Sequence, residues 1–523
     1  MYLPRDHLQT SGSYGAELAI TQDSALSTGE NMAQMLIGGE WVGSRNGDMT
    51  EVINPATGEP VDTTPRATVE DAREAIDAAE AAFAVWSEWT QAKRADVLRR
   101  TVGLIREREK ELANLLTREQ GKPIREAVLE IRRYAHTLEY YAGLGKNIRG
   151  GYIPQIDEGK YGLIIKKPLG VCGAIVPWNF PVSLMGNKIG PALLAGNTMV
   201  IKPAETTPLT DLRVVGLFLE AGLPKGVINV VTGRGSVVGE EIVTNPKVRK
   251  IGFTGSTEVG RRVMASAAEG IKRVTLELGG SDPMIVCDDA DIDEAAKAAA
   301  VGRFFNCGQA CLAIKRLYLF DSIAEEFTEK LVARAKKLRV GNGLSEGSMI
   351  GPLHSASQRD EVESQVQDAI DRGARVLVGG ERLKGDEFDR GHFFAPTLLA
   401  DVPEDARVAR EEVFGPALPI FRVGSLDEAI EKANDSIFGL GSSIWTNDLN
   451  RATRAAERIE AGYTWINSAQ IIYDELPFGG FKQSGLGKEH GTEAIDYYSE
   501  TKAVVVSTKP MGDTGSRSGK VGH

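Results

Sequence analysis

Between Thr198 and Ala268 the chain alternates strand and helix without a break, and that rotation limits the fold more than any other feature of the sequence. TMVIKPA reads as a strand, LTDLRVVGLFLEAG as a helix closed by Gly222, VINVVTG as a strand and SVVGEEIVTN as a helix. VRKIGFTG and STEVGRRVMASAA repeat the pair, with Ser256 as the helix cap. Strands joined through helices run parallel, so this region predicts an α/β sheet with helical crossovers. Such sheets bind ligands at their carboxyl edge, which here carries Lys202, Gly233 and Gly255.

A second alternating run starts near Pro283 with MIVCDDA and continues through DIDEAAKAAAVGRFF, KRLYLF, TLLADV and LPIFRV to Trp465, which predicts a second α/β domain. From Ala67 to Leu144 apolar residues recur at helical spacing with charges between them, the pattern of surface-packed helices. The domains expected are a Rossmann-type α/β domain from 35–148 and 169–279 and a second α/β domain from 280–485. Residues 149–168 and 486–507 form a small β element; 1–34 is a mobile arm, and 508–523 a disordered tail. The arm lacks the apolar core of a secretory signal and the arginines of a transit peptide.

Composition excludes several functions. No run reaches the roughly 20 apolar residues of a membrane helix, and a net charge of -11 argues against nucleic acid or an anionic membrane as partner. Four cysteines in 523 residues are too few for a disulfide framework and suit a reduced, cytoplasmic setting. The histidines, at 7, 136, 354, 392, 490 and 523, have no metal-ligand spacing, so no metal site is expected.

Cys172 in VCGAIV and Cys287 in MIVCDD lie in apolar strands and read as core thiols. Cys307 and Cys311 sit in FFNCGQACLA, where a glycine lets the backbone turn sharply and free amides face a substrate; composition alone leaves such a cysteine between core and nucleophile. Around them stand PWNFP at 177–181, KPAE at 202–205, FTGS at 253–256, ELGGSDP at 277–283, EEVFGP at 411–416 and PFGGFKQSG at 477–485. In this order, with F-x-x-x-G-Q-x-C from Phe304 to Cys311, they resemble the aldehyde dehydrogenase superfamily over roughly residues 36–507, with some semialdehyde-dehydrogenase-like features.

The resemblance implies oxidation of a small-molecule aldehyde to its acid through a thioester on Cys311, with the first α/β domain as the cofactor domain and the second as the catalytic domain. A free thiol is only a few per cent ionised at neutral pH, so the nucleophile needs a base. Glu277 matches the family's base, Asn179 its oxyanion donor, and Lys188 and Glu489 a proton-passing pair. Two alternatives stand beside it, a CoA-acylating relative and an inactive binding homologue. Glu277 argues against the first, and joint retention of Cys311, Glu277 and Asn179 against the second. Cys307 either lines a wall or joins an oxidative disulfide, and the wall is the expectation.

Gly233, Gly235 and Gly239 imitate a dinucleotide fingerprint but are spaced one residue too far, without the acidic residue that should follow. The resemblance instead implies a cofactor held by Ile175, Val176, Pro177, Trp178, Lys202, Glu205, Gly235, Phe253, Gly255, Ser256, Val259, Leu278, Glu412 and Phe414. Lys202 and Glu205 would meet the adenosine ribose; Glu412 and Phe414 would meet the nicotinamide end. Glu205 favours NAD over NADP, because a carboxylate repels a 2′-phosphate. The matched substrate mouth is Phe180, Leu184, Ala310, Leu312, Trp465, Tyr473 and Phe478, an apolar set for an aliphatic or aromatic aldehyde. Arg303 is the candidate cation should a semialdehyde be the substrate. GGYIPQ and KAVVVS resemble the family's oligomerisation strands and predict a homodimer or homotetramer.

Overall fold

The structure is a computed structural model that describes residues 34–508; the expected arm and tail lie outside the described residues, apart from their inner ends Gln34 and Thr508. The alternating region forms the predicted parallel core. Five strands lie in the order Arg273–Glu277, Val248–Thr254, Val171–Ile175, Thr198–Lys202 and Ile228–Val230, all parallel. From Val171–Ile175 the chain winds outward twice, then returns to the other side of that strand. Neighbouring crossovers therefore diverge between Val171–Ile175 and Val248–Thr254, the switch point at which open sheets leave a crevice. Register pairs Ile175 with Lys202 and Phe253, and Thr254 with Glu277. Residues distant in sequence thus end on one rim.

Two details differ from the sequence reading. Gly485–Leu486 pairs antiparallel with Arg273–Glu277, placing Gly485 opposite Glu277, so this segment closes the cofactor sheet and belongs neither to the catalytic domain nor to the small β element. SVVGEEIVTN forms a wide turn at Gly235–Gly239 before the short helix Glu240–Thr244, because glycine at both ends weakens a regular start.

The second domain is a seven-stranded sheet ordered Arg375–Val378, Thr397–Ala400, Ala417–Val423, Ile314–Phe320, Asp282–Val286, Gly441–Trp445 and Tyr463–Ile466. Only its edge strand Arg375–Val378 is antiparallel. A third sheet joins Gly151–Asp157, Lys160–Pro168 and Ser499–Ser507, all antiparallel.

The helical segment forms Val69–Trp86, Gln91–Glu107, Glu109–Gln120 and Ile124–Leu144. These helices are not merely surface-packed: Glu119, Glu126 and Glu130 are buried, as is Lys122 in the turn between the last two helices. Helix Pro181–Ala195 lies so close to Ile124–Leu144 that a methyl group on Gly186 would sit 2.3 Å from the Tyr134 ring. That approach fixes Asn187 and Lys188, the next residues along the helix, in the domain core. No helix among the described residues is long and apolar enough to cross a membrane.

Candidate active site

The strand Val171–Ile175 leads through Pro177 to Phe180 into helix Pro181–Ala195, and this helix has no side-chain cap of its own. Its first free amides are satisfied from another helix. Glu130 Oε1 accepts from Val182 N at 3.1 Å and Ser183 N at 3.2 Å. Buried Lys122 neutralises Glu130 and also donates to the Asn179 carbonyl at 2.8 Å. Burial pushes the Lys122 ammonium down and Glu130 pulls it back up. Removing one partner of such a buried pair typically costs about 3–5 kcal/mol, because the other charge is left uncompensated.

The Asn179 turn is tied to the loop before Cys311. Asn306, Cys307 and Gly308 are consecutive left-handed residues, with φ of 50°, 56° and 73°. For a non-glycine residue this geometry costs roughly 1–2 kcal/mol. Glu126 Oε2 holds Asn306 N at 2.8 Å, and Asn306 Nδ2 donates to the Asn179 carbonyl at 2.9 Å. In return the Asn179 side-chain amide donates to Gln309 O at 3.1 Å. The predicted oxyanion donor therefore points at the backbone that leads into Cys311.

All four cysteines are free, and only Cys311 escapes full burial. With Leu312 it packs against Leu440, Tyr463, Trp465 and Phe478. Its carbonyl accepts from Lys315 Nζ at 2.6 Å, and the same ammonium reaches Ala310 O at 3.0 Å and Glu412 Oε1 at 2.9 Å. Burial pushes the Cys311 thiol up to about 12, with Lys315 opposing and Glu412, Asp282 and Glu277 reinforcing. At neutral pH it is protonated.

Glu277 ends its strand 3% exposed, and neither carboxylate oxygen has a hydrogen-bond partner. Burial first, then the charge of Glu489, raises its pKa well above the carboxylate range against Lys188 and Lys488. A methyl group on Gly479 would lie 2.8 Å from Glu277 Oε1, so the double glycine of PFGG leaves room for this carboxylate. Lys188 is fully buried, 2.7 Å from Glu489 Oε1 and 2.7 Å from Thr254 Oγ1. Glu489 Oε2 accepts from Asn187 at 3.1 Å, and the Glu489 backbone exchanges two bonds of 2.7 Å with Phe478.

The cofactor candidates gather on the sheet rim. Lys202 is buried, donates to Pro203 O at 2.8 Å and is pushed down to about 8 by burial, against Glu205. Its Cδ and the Ile175 side chain both approach Gly239. Ser256 caps helix Thr257–Glu269 by accepting from Val259 N at 3.4 Å, and Val259 is exposed beside it. Gly255 N donates to Glu277 O at 3.0 Å, above the Phe253 ring. Leu278 N donates to Ser484 O at 2.9 Å. Glu412 Oε1 accepts from Gly280 N at 3.0 Å, with Oε2 close against Gly279, while Phe414 meets Trp178 edge-on at 5.5 Å. Val176 is buried and Pro177 half-buried at the start of the turn. A helix start, a half-buried carboxylate in Glu205 and an aromatic edge along one crevice fit a dinucleotide.

The model of the aldehyde dehydrogenase family matches residues 41–504. The chain belongs to that family. It is 44% identical over 473 residues to the NADP-dependent succinate-semialdehyde dehydrogenase of Escherichia coli K12, covering 90% of this chain and 97% of that protein. It is likewise 44% identical over 474 residues to a glutarate-semialdehyde dehydrogenase of Pseudomonas putida, covering 91% and 98%. Betaine aldehyde dehydrogenase of Staphylococcus aureus, solved with NAD+, matches with a TM-score of 0.90 at 37% identity over 92% of this chain and 96% of that one. The protein is an enzyme, an NAD(P)-dependent aldehyde dehydrogenase.

In this aldehyde dehydrogenase the mouth candidates divide. Leu312, Trp465 and Phe478 converge on Cys311, joined by Leu440, Tyr463 and Ile472, which the motifs did not mark. Phe180 stacks on Phe305 at 6.0 Å, with Lys122 over its other side at 4.0 Å. Leu184 is half-buried one helical turn before Lys188, Ala310 is buried beside Cys311, and Tyr473 stands exposed. Arg303 is not a mouth residue. It is fully buried and donates to Ile314 O at 3.1 Å and Val413 O at 2.9 Å, and burial pushes it down to about 9. Its helix turns that face toward the sheet, so the guanidinium braces carbonyls and cannot meet a substrate. Cys307 is buried in the core of the second domain and does not line the mouth. Motif matching also missed Lys122, Glu126, Glu130, Lys315 and Asp474. Glu126 and Glu130 recur at a spacing of four on the buried face of helix Ile124–Leu144 and Lys122 lies in the turn before it, but nothing local in the sequence marks any of them as buried.

Proposed function

We propose that Cys311 is the nucleophile of this aldehyde dehydrogenase and Glu277 its general base. The observation that carries the reading is the pairing of one accessible thiol among four with a buried carboxylate free of hydrogen bonds. Glu277 takes the thiol proton, and the thiolate adds to the aldehyde carbonyl. The Asn179 amide and the Cys311 N–H hold the resulting oxyanion, a contribution worth about 100- to 1,000-fold per donor. NAD held by Lys202, Glu205, Glu412 and Phe414 would supply a hydride acceptor, so that the adduct on Cys311 would become a thioester. Glu277 passes the thiol proton on, is again a base and draws a proton from water, whose oxygen adds to the thioester carbonyl; the acid leaves and the thiolate is restored. Lys188 and Glu489 carry the proton away. Because Glu277 acts deprotonated and burial raises its pKa, turnover increases with pH through a value above the usual carboxylate range. Cys311→Ala is expected to abolish NADH formation and leave NAD binding intact, while Cys307→Ala keeps most activity. Equal losses in two folded variants would place the nucleophile elsewhere.

Glu205 supports NAD as the preferred cofactor, and the apolar mouth supports an uncharged aliphatic or aromatic aldehyde. Arg303 is buried, and Arg133, which acts electrostatically on Tyr463, is bound to Asp474. Like charges close to one another cost about 1 kcal/mol or more, so kcat/KM with NAD should exceed that with NADP by roughly fivefold or more, and Glu205→Gln should narrow the ratio. Benzaldehyde should outrun succinate semialdehyde. NADP preference untouched by the substitution, together with a faster semialdehyde, would overturn both readings.

The exposed residues Ile153, Ile156 and Val505, which share the Gly162 face of the three-stranded sheet, support a homodimer or homotetramer. The free cysteines support a reduced, cytoplasmic setting. Light scattering should give a multiple of 56.4 kDa, and an active monomer at that mass would refute the assembly.

A further inference from the structure

We propose that Asp474 is a specificity-determining positioning residue, which locks the wall of the aldehyde mouth and cancels the positive charge beside it. This rests on the reading of Cys311 as the nucleophile. The Asp474 side chain is fully buried although it lies one residue after exposed Tyr473 and two after Ile472, which packs on the Cys311 cluster. Oδ1 accepts from Arg133 Nη2 at 2.7 Å and Thr137 Oγ1 at 3.0 Å and pairs with His490 Nδ1 at 2.8 Å, while Oδ2 pairs with His136 Nδ1 at 2.6 Å. The Asp474 carbonyl accepts from Gly491 N at 2.7 Å. Arg133, His136 and Thr137 share one face of helix Ile124–Leu144, at spacings of three and four.

One carboxylate thus joins three parts of the site. It binds the helix packed against Asn187 and Lys188, the mouth segment, and the residue immediately after Glu489. His490 takes a left-handed φ of 56°, uncommon outside glycine, and its bond to Asp474 helps retain it. The other end of the segment is fastened independently: Gln470 donates to Leu312 O at 2.7 Å, and Trp465 Nε1 to Ile471 O at 2.7 Å. Ile472 and Tyr473 are therefore held between two anchors, one on the nucleophile loop and one on Asp474. Burial alone would push this acid up, yet its bond from His490 and the charge of Arg133 hold it at about 2. It stays ionised across the working pH range and sets a negative charge 2.7 Å from Arg133.

The experiment compares benzaldehyde with succinate semialdehyde in wild type, Asp474→Asn, Asp474→Glu, Arg133→Met and the double variant Asp474→Asn/Arg133→Met. Asp474→Asn should reduce the benzaldehyde-to-semialdehyde ratio of kcat/KM by about tenfold or more, through KM of the aldehydes, with KM for NAD unchanged. Asp474→Glu should restore most of the ratio. Adding Arg133→Met should cancel the gain for the semialdehyde, because the uncovered cation is then gone. Arg133→Met alone removes a single partly exposed donor, and should raise KM for benzaldehyde in a folded enzyme even if Asp474→Asn fails to fold. An unchanged ratio in folded Asp474→Asn, or equal rises in KM for aldehyde and NAD, would overturn the inference and leave Asp474 a general brace. If Asp474→Asn does not fold, an unchanged benzaldehyde KM in Arg133→Met would overturn it as well. Failure of the underlying active-site reading would appear separately, as turnover surviving Cys311→Ala.

Discussion

The buried pair of Lys122 and Glu130 is the interaction on which the rest of the site depends. Helix Pro181–Ala195 must begin at the end of a sheet strand, where its amides would stand unsatisfied, and Glu130 caps them from a neighbouring helix. An isolated buried carboxylate would be too costly to keep ionised there, so Lys122 supplies the counter-charge and fixes the Asn179 carbonyl in the same geometry. Asn306 binds that carbonyl from the other domain. The cofactor sheet and the nucleophile loop are thereby registered against each other through one peptide group.

That registration explains how a left-handed loop persists before Cys311. The strain at Asn306 and Cys307 is offset by Glu126 on one side and by the Asn179 and Gln309 exchanges on the other. Glu126, pushed up to about 7 by burial, is a structural acid. Glu277 differs in kind: it is equally buried, but no donor reaches it. A carboxylate committed to backbone amides holds geometry, and one left bare is available to exchange protons.

Much of the fold was legible in the sequence because strand and helix leave different periodicities, and the switch point follows from parallel connection alone. Cys172 and Cys287 were readable as core thiols from their apolar strands, and both are buried. Motifs located the Cys311 loop, the Glu277 strand end and the Asn179 turn, which the structure brings around one rim. Arg303 was misread because proximity in sequence to Cys311 says nothing of which helix face meets the sheet. Asp474 and Glu130 were invisible for a related reason: each acts through partners far along the chain, and an acidic residue in a loop or helix carries no local mark of burial. Gly485 was misassigned because a two-residue strand is too short to show a period.

In the proposed mechanism Glu277 serves the water step on a thioester carried by Cys311. Intact-mass spectrometry of Glu277→Gln, mixed with NAD and benzaldehyde, tests it most directly. The substitution keeps the shape of the side chain and removes the base, so hydrolysis should slow more than hydride transfer and steady turnover should fall by about 100- to 10,000-fold. The predicted spectrum shows one benzoyl group on Cys311, released by hydroxylamine. Turnover at the wild-type rate with no adduct on Cys311 would contradict the account.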